Sequence, residues 1–265
     1  MNGTRAFVDG EPADSAALIR FARNGYHHFT TMQVREGAVR GLRLHLARLG
    51  ETTRALFDVE LKPDSIRQQM RASLNGQADA SLRLSIGARN YCARAMPVPA
   101  ELETLILIDP PAAVRRTPMR LLGIRHPHPF AQFKHAGQFD LFHLRRQALM
   151  QGFDDALLLN QSGEIAEGPT FSLGFFNGEA LIWPQAEALA STTHQLLHEA
   201  WQTAGGRSLM RRIHISETHT FDGAFACHAG GIWPLSGIDQ GAMAINEMAM
   251  ARLHQCWNAI DAEPI

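Results

Sequence analysis

Two lysines stand among the 25 basic residues of this 265-residue chain, and the other 23 are arginines. Lysine can lose its proton near neutral pH and can form a Schiff base with a carbonyl compound, whereas arginine does neither. Lys62 precedes a predicted helix in a charged stretch, so we expect it on the surface. Lys134 lies among apolar and small residues in HPFAQFKHAGQFD, where burial would favour the neutral amine. Lys134 is therefore the candidate nucleophile.

Three features downstream of Lys134 suit the same chemistry. Glu167 supplies a carboxylate at the end of a predicted strand–turn–strand unit. Thr192 and Thr193 open a predicted helix, whose first N–H groups and partial positive charge attract anions, although hydroxyl residues also cap helices without any ligand. The stretch CHAGGIWPL adds a loop of small residues. An amine, a carboxylate and an anion site match the aldehyde, pyridine nitrogen and phosphate of pyridoxal 5'-phosphate, so this cofactor is our hypothesis.

Composition excludes several other classes of protein. The 26 acidic and 25 basic residues nearly cancel, so we expect neither a nucleic acid partner nor attraction to an anionic membrane. No apolar run approaches the length of a membrane span, and the N-terminal stretch lacks the apolar core of a signal peptide. The three cysteines form no CxxC pair, which predicts neither disulfides nor a zinc knuckle. We expect a cytoplasmic protein.

Hydrophobic spacing predicts the elements that must position the candidate residues. Apolar stripes mark three of the helices: Leu42, Leu46, Leu49 and Leu56; Ile66, Met70 and Leu74; and Leu141, Leu144 and Ala148. Helices are predicted over LRLHLARLGETTRALF, PDSIRQQMRASLNG, DLFHLRRQALMQG, STTHQLLHEAWQTAGG and about 246–258. Strands are predicted over FTTMQV, SLRLSIGAR, LETLILID, MRLLGIR, both halves of DALLLNQSGEIAEG, RRIHI and AFACH, and Asn177-Gly178 predicts a hairpin. We therefore predict an α+β protein with a smaller N-terminal domain over 1–109, a linker over 110–114 and a larger C-terminal domain over 115–265.

Five stretches in consecutive order resemble the class IV aminotransferases, the fold-type IV pyridoxal-phosphate enzymes. They run from about Phe29 to Asp239 and are HLARL, FKHAGQF, GFDDALLLNQSGEIAEGP, LASTTHQLL and CHAGGIWPLSGID. The resemblance implies a small N-terminal α/β domain, a barrel-like C-terminal domain and a homodimer. It implies that Lys134 carries the cofactor as an aldimine and that Glu167 holds the pyridine nitrogen. The implied phosphate contacts are Arg48, Thr192, Thr193, His228 and Ala229, and the implied substrate-facing residues are His28 and Phe29, although His28 could equally cap its turn.

The resemblance implies a transfer of an amino group from an amino acid to a 2-oxo acid. Two alternatives stay open. One is elimination of the kind performed by 4-amino-4-deoxychorismate lyase. The other is a catalytically idle relative that acts as a binding module.

Departures from the family pattern concern the surroundings of the cofactor and the substrate. Phe139 stands where branched-chain enzymes often have a tyrosine that contacts the cofactor's phenolic oxygen, and His194 replaces an arginine. No stretch identifies the residues that bind the substrate carboxylate. The candidates by position alone are Arg89, Tyr91 and Arg94.

His126 and His128, in RHPHPF, could also suggest a metal site. A metal site needs further ligands, and the sequence shows no carboxylate or cysteine close to these two histidines. We therefore expect no metal.

Overall fold

The computed structural model describes residues 3–115 and 117–265. The α-helices of this part of the chain are α1 Ser15–Arg23, α2 Leu42–Phe57, α3 Pro63–Leu74, α4 Phe139–Met150, α5 Thr192–Thr203 and α6 Glu247–Asn258, with a 3₁₀ helix over Ile215–Thr220. The strands are β1 Arg5–Val8, β2 Glu11–Pro12, β3 His28–Val34, β4 Ala38–Arg40, β5 Ala80–Ala88, β6 Leu102–Asp109, β7 Met119–Arg125, β8 Asp155–Leu159, β9 Ser172–Asn177, β10 Ala180–Pro184, β11 Arg207–Arg211, β12 Gly223–His228, β13 Gly231–Ile238, β14 Gly241–Ala242 and β15 Ala262–Pro264. The α+β class is confirmed.

The chain divides into two compact units. The first runs to Ala113 and also includes Phe133–Gly137 and Ala262–Ile265, and the second comprises Val114–Gln132 and Gln138–Asp261. This division differs from the single linker predicted over 110–114. The chain re-enters the first unit twice, because 133–137 hydrogen-bonds to β3 and β15 pairs with β4. Long-range backbone pairing of this kind leaves no mark on local composition.

The first unit is built on a five-stranded antiparallel sheet with the order β2-β1-β6-β5-β3. Helices α2 and α3 bury their apolar faces against this sheet. The predicted stripes Leu42, Leu46, Leu49 and Ile66, Met70, Leu74 lie in one hydrophobic core with residues of β3, β5 and β6, and Leu56, the last member of the first stripe, packs against this core partly buried. Strand β3 pairs with β5 and is the last strand in this order, so its outer edge is open to the segment that carries Lys134.

The second unit is built on a mixed sheet of eight strands, with the order β11-β10-β9-β12-β13-β7-β8 and β14 attached to β13. The hairpin predicted at Asn177-Gly178 is confirmed, since β9 and β10 pair antiparallel across it. Helix α4 packs on β8 through the predicted face of Leu141, Leu144 and Ala148. Helices α5 and α6 share a core with β10 and β12 that includes Leu197 and Trp201. This unit is compatible with the implied barrel-like domain.

Two strand predictions were wrong. After β8 the chain turns back beside it, and the amide of Ala166 donates to the carbonyl of Leu158 at 2.9 Å, but the pairing stops at isolated bridges, Leu159 with Ile165 and Glu164 with His214, and does not form a continuous strand. The second concerns RRIHI, where β11 ends at Arg211. The remaining predicted helices and strands are present, and α1 is an element that the hydrophobic spacing did not indicate.

Candidate functional site

Strand β3 fixes the main chain of the segment that carries Lys134. The amide of Phe29 donates to the carbonyl of Lys134 at 2.8 Å, and the amide of Ala136 donates to the carbonyl of His27 at 2.9 Å. The lysine side chain is half-buried, and its Nζ lies 5.0 Å from the centroid of the Phe29 ring. Because two backbone hydrogen bonds hold the segment, the amine has a defined starting point beside an aromatic face.

Arg48 lies on α2 close to the same strand. Its Nη2 donates to Thr30 Oγ1 at 2.7 Å, and this hydroxyl lies 2.7 Å from His45 Nδ1. Thr30 follows Phe29 directly, so one strand organises Lys134, Phe29 and Arg48 within the first unit. Burial lowers the pKa of Arg48 to about 10, since a guanidinium loses hydration there. An anion bound beside this cation would restore its favourable electrostatic surroundings.

Two buried histidines stay neutral in this region. His45 is 2% exposed, and burial, helped by the charges of Arg48 and Lys134, lowers its pKa to about 3. His28 is 1% exposed and lies 3.0 Å from Thr53 Oγ1 through its Nε2. Burial, His27 and Arg48 lower the pKa of His28 to about 3 as well. These rings therefore contribute hydrogen bonds without adding positive charge at neutral pH.

Arg83 is the residue that sequence reasoning missed. It lies on β5, and its guanidinium carbon is 3.6 Å from the centroid of the Phe29 ring. Burial lowers its pKa from the ordinary value. Its position within the largely apolar stretch SLRLSIGA could have indicated a function, because charged side chains between core positions are uncommon unless they have a partner. Arg83 and Lys134 therefore lie near the same aromatic ring, and the Arg83 guanidinium offers several hydrogen-bond donors there.

The three candidates chosen by position alone have other surroundings. Arg89 is paired with Asp9 at 2.7 Å and with Glu103 at 3.4 Å. Tyr91 packs against Phe57, with ring centroids 5.7 Å apart. Arg94 is exposed. Arg83, by contrast, lies against Phe29, which is a predicted site residue.

Glu167 belongs to the second unit and is held at both its main chain and its side chain. Its carbonyl accepts from the amide of Leu158 on β8 at 2.8 Å, and its Oε1 accepts from the amide of Leu189 at 3.3 Å. The next residue, Gly168, lies under the Phe171 ring, where any β-carbon would clash. Glycine is therefore required at position 168, because only a residue without a β-carbon leaves space for the Phe171 ring. The hydrogen bond from Leu189 places the Glu167 carboxylate beside the loop before α5.

The N-terminus of α5 fits the predicted anion site. Ser191 caps the helix, since its hydroxyl accepts from the amide of His194 at 3.3 Å. Thr192 and Thr193, the first two helical residues, are buried. The helix directs the partial positive charge of its first turn outward from this point. His194 stacks on Trp183 with centroids 3.9 Å apart, and burial lowers its pKa to about 4, so it does not replace the charge of the family's arginine.

His228 is the last residue of β12, and Ala229 follows it in the turn to β13. The Nδ1 of His228 accepts from the amide of Gly230 at 2.9 Å, and its ring packs edge-on against Trp233 at 4.7 Å. The imidazole thus stabilises its own tight turn. Phe139 is 84% exposed at the first residue of α4, where it stacks on His143.

The expectation that His126 and His128 lack a nearby carboxylate was wrong. His126 Nε2 lies 2.8 Å from Asp140 Oδ2, and His128 Nδ1 lies 3.8 Å from the same oxygen. Asp140 is distant along the sequence, but the start of α4 returns it to the histidines.

No helix of the described residues is long and apolar enough to cross a membrane.

Comparison with known families identifies the chain. The sequence model of the amino-transferase class IV family matches residues 27–238. The chain belongs to this family. The match supports pyridoxal 5'-phosphate as the cofactor. A search of curated proteins gives no match.

Solved structures resemble the chain over nearly its whole length. The 4-amino-4-deoxychorismate lyase from Pseudomonas aeruginosa is 25% identical, with a TM-score of 0.82 over 97% of this chain and 99% of that one. A hypothetical aminotransferase from Mycobacterium tuberculosis in a PLP-bound form is 18% identical, with a TM-score of 0.81 over 97% and 98%. The branched-chain amino acid aminotransferase from Escherichia coli is 15% identical, with a TM-score of 0.85 over 98% and 94%. These likenesses confirm the fold class.

Proposed function

We propose that this protein is a pyridoxal-phosphate-dependent aminotransferase that moves an amino group from an amino acid to a 2-oxo acid. The observation that carries the proposal is the placement of Lys134, whose main chain is bonded to β3 and whose amine lies beside Phe29. The family match supports the cofactor, and the reaction is our inference.

The residues present suit each polar group of the cofactor. Lys134 offers the amine for the aldehyde. Arg48, whose pKa is lowered by burial, suits a phosphate because an anion there would stabilise its charge. The capped N-terminus of α5 is a second phosphate donor, at Thr192 and Thr193. Glu167, fixed by the amide of Leu189, offers its carboxylate to the pyridine nitrogen.

When bound, the cofactor would supply an electron sink for the carbanion formed at the substrate's α-carbon. Lys134 holds and moves protons, because its neutral amine can accept the α-proton and return it elsewhere. Glu167 would accept a hydrogen bond from the protonated pyridine nitrogen through its carboxylate. Arg48 would bind the phosphate by charge and hydrogen bonds, and the first turn of α5 would offer its free N–H groups to a phosphate.

Arg83 is our candidate for binding the substrate carboxylate. Its guanidinium lies against the Phe29 ring, and the amine of Lys134 lies 5.0 Å from the centroid of the same ring. A half-buried arginine can bind a carboxylate through two parallel hydrogen bonds.

Lyase chemistry is the second candidate. The P. aeruginosa 4-amino-4-deoxychorismate lyase is 25% identical over 97% of the chain, which favours the elimination of that substrate to 4-aminobenzoate and pyruvate. Phe139 also stands where branched-chain aminotransferases often have a tyrosine, so this chain lacks the hydroxyl that those enzymes place near the cofactor. Both reactions use Lys134 and Glu167 in the same way, so these residues do not distinguish them.

The discriminating experiment starts from protein loaded with pyridoxal phosphate. It is incubated with a panel of L- and D-amino acids, and the conversion of bound cofactor to pyridoxamine phosphate is measured by chromatography. Conversion with at least one amino acid, reversed by a 2-oxo acid, supports the aminotransferase. Formation of 4-aminobenzoate from 4-amino-4-deoxychorismate without that conversion rejects it in favour of the lyase. A protein that takes up no cofactor rejects both and favours the idle binding module.

A further inference from the structure

We propose that His126, His128 and Asp140 bind a divalent transition-metal ion, with zinc as the ion they suit best. One ligand atom from each residue lies within 4.8 Å of the others. Imidazole nitrogens and a carboxylate oxygen are the donors that zinc takes in proteins, and three protein ligands leave a fourth position for water. All three residues belong to the second unit, so the proposal is independent of the proposed function.

The local fold holds the three side chains in place. His126 follows β7 directly, and its amide donates to the carbonyl of Leu159 on β8 at 2.9 Å. Prolines stand on both sides of His128 and restrict the backbone that carries it. Asp140 is the second residue of α4. A strand end, a proline-restricted turn and a helix start therefore converge on one point.

The distances leave room for an ion after a small adjustment. Ligand atoms about 2.1 Å from a tetrahedral zinc ion lie about 3.4 Å from one another. The separations from Asp140 Oδ2 are 2.8 Å to His126 Nε2 and 3.8 Å to His128 Nδ1. They bracket that value, so entry of zinc would replace the proton between His126 and Asp140 and draw His128 inward.

Charge and exposure also suit a cation. Asp140 adds a carboxylate donor to the two imidazoles of the cluster. The side chains of His126 and His128 are 21% and 12% exposed, and that of Asp140 is 38% exposed. An ion can therefore enter from solvent and keep a water ligand.

A bound ion would connect the end of β7 to the start of α4. The chain between these two elements carries Lys134. The metal would stabilise this loop, because it restrains the two ends of the segment. An ion that binds only the folded chain stabilises it, by about 100-fold in the folding equilibrium constant at 100 times its Kd.

The test uses the full chain without an affinity tag, loaded with pyridoxal phosphate and stripped of metal by a chelator. The protein is dialysed against zinc chloride, and its zinc content is measured by mass spectrometry alongside the thermal midpoint. We expect about one zinc ion per chain and a higher midpoint for the wild type. His128→Gln and Asp140→Asn should each lose both effects.

His254→Gln is the matched control, because His254 is an exposed histidine on α6 outside the cluster. It should bind zinc as the wild type does. Circular dichroism of each variant separates loss of ligands from loss of fold, and if one variant unfolds the other decides the result. A wild type that retains no zinc, or folded His128→Gln and Asp140→Asn variants that retain it fully, would overturn the proposal. Cofactor content, measured in the same samples, reports on the proposed function separately.

Discussion

The amide of Phe29 donates a hydrogen bond of 2.8 Å to the carbonyl of Lys134, across 105 positions of sequence. This bond places the lysine at the open edge of β3. The residue after Phe29 on that strand is Thr30, whose hydroxyl accepts a hydrogen bond from Arg48. The amine, the aromatic ring and the buried cation therefore depend on a single strand. Changes to these side chains should affect separate steps, which makes the proposed roles testable one by one.

Lys134→Ala should abolish covalent attachment of the cofactor and lower the turnover rate at least about 100-fold, because the variant lacks both the Schiff-base amine and the proton carrier. The measurement is borohydride reduction of the loaded protein followed by peptide mapping, together with steady-state kinetics. Lys62→Ala is the matched control, since Lys62 is the other lysine of the chain and is exposed. A reduced label on Lys62, or a Lys134→Ala variant of normal activity, would contradict the assignment.

Glu167→Gln should retain the cofactor but lose most of its activity, because a neutral amide cannot keep the pyridine nitrogen protonated. The loss should appear in kcat more than in KM, since the substrate carboxylate is bound elsewhere. Glu179→Gln, at an exposed hairpin turn, serves as the control. Equal loss of kcat in both variants would show that Glu167 has no special role.

Several elements of the fold could be predicted from local patterns in the sequence. The stripe of α2 and the Asn177-Gly178 turn are local signals, and both predicted the observed structure. The contact between Arg83 and Phe29 could not be predicted from the sequence, because it depends on the pairing of β3 with β5. Asp140 was overlooked for the same reason, since the turn that returns it to His126 spans 14 positions.

Arg48→Gln should weaken pyridoxal phosphate binding by about 10- to 150-fold. A hydrogen bond to a charged group contributes roughly 1.5–3 kcal/mol, and about 1.4 kcal/mol corresponds to a tenfold change in Kd. The Kd is measured by titrating the apoprotein with cofactor and following its absorption. Arg43→Gln, an exposed position on the same helix, should leave the Kd unchanged. Unchanged affinity in Arg48→Gln would remove this residue from the phosphate site.

Arg83→Gln should raise the KM for the amino acid substrate while cofactor affinity stays as in the wild type. Loss of a bidentate carboxylate contact removes binding energy without touching the groups that hold the phosphate. Arg94→Gln is the comparison, because Arg94 is exposed and was a candidate by position alone. If Arg94→Gln raises KM and Arg83→Gln does not, the substrate carboxylate binds elsewhere.

Stability should fall in mild acid because of His28 and His45. Each has a folded-state pKa of about 3, below the ordinary value of 6.5. Between these two pH values the unfolded chain binds more protons than the folded chain. The contribution of the two neutral histidines to the free energy of unfolding is therefore fully present above pH 6.5 and declines as the pH falls toward 3. At pH 5 each histidine should cost about 2 kcal/mol in the free energy of unfolding, at 1.36 kcal/mol for each pKa unit.

Urea unfolding at pH 7 and pH 5 measures this loss. His45→Gln has no titrating ring, so the difference between the two pH values should shrink by about the contribution of one histidine, whatever the variant's own stability. His254→Gln, which removes an exposed histidine, should keep the full difference. If the wild type is equally stable at both pH values, or if His45→Gln keeps the whole loss, then the ring of His45 is protonated in the folded chain and its burial beside Arg48 does not hold it neutral.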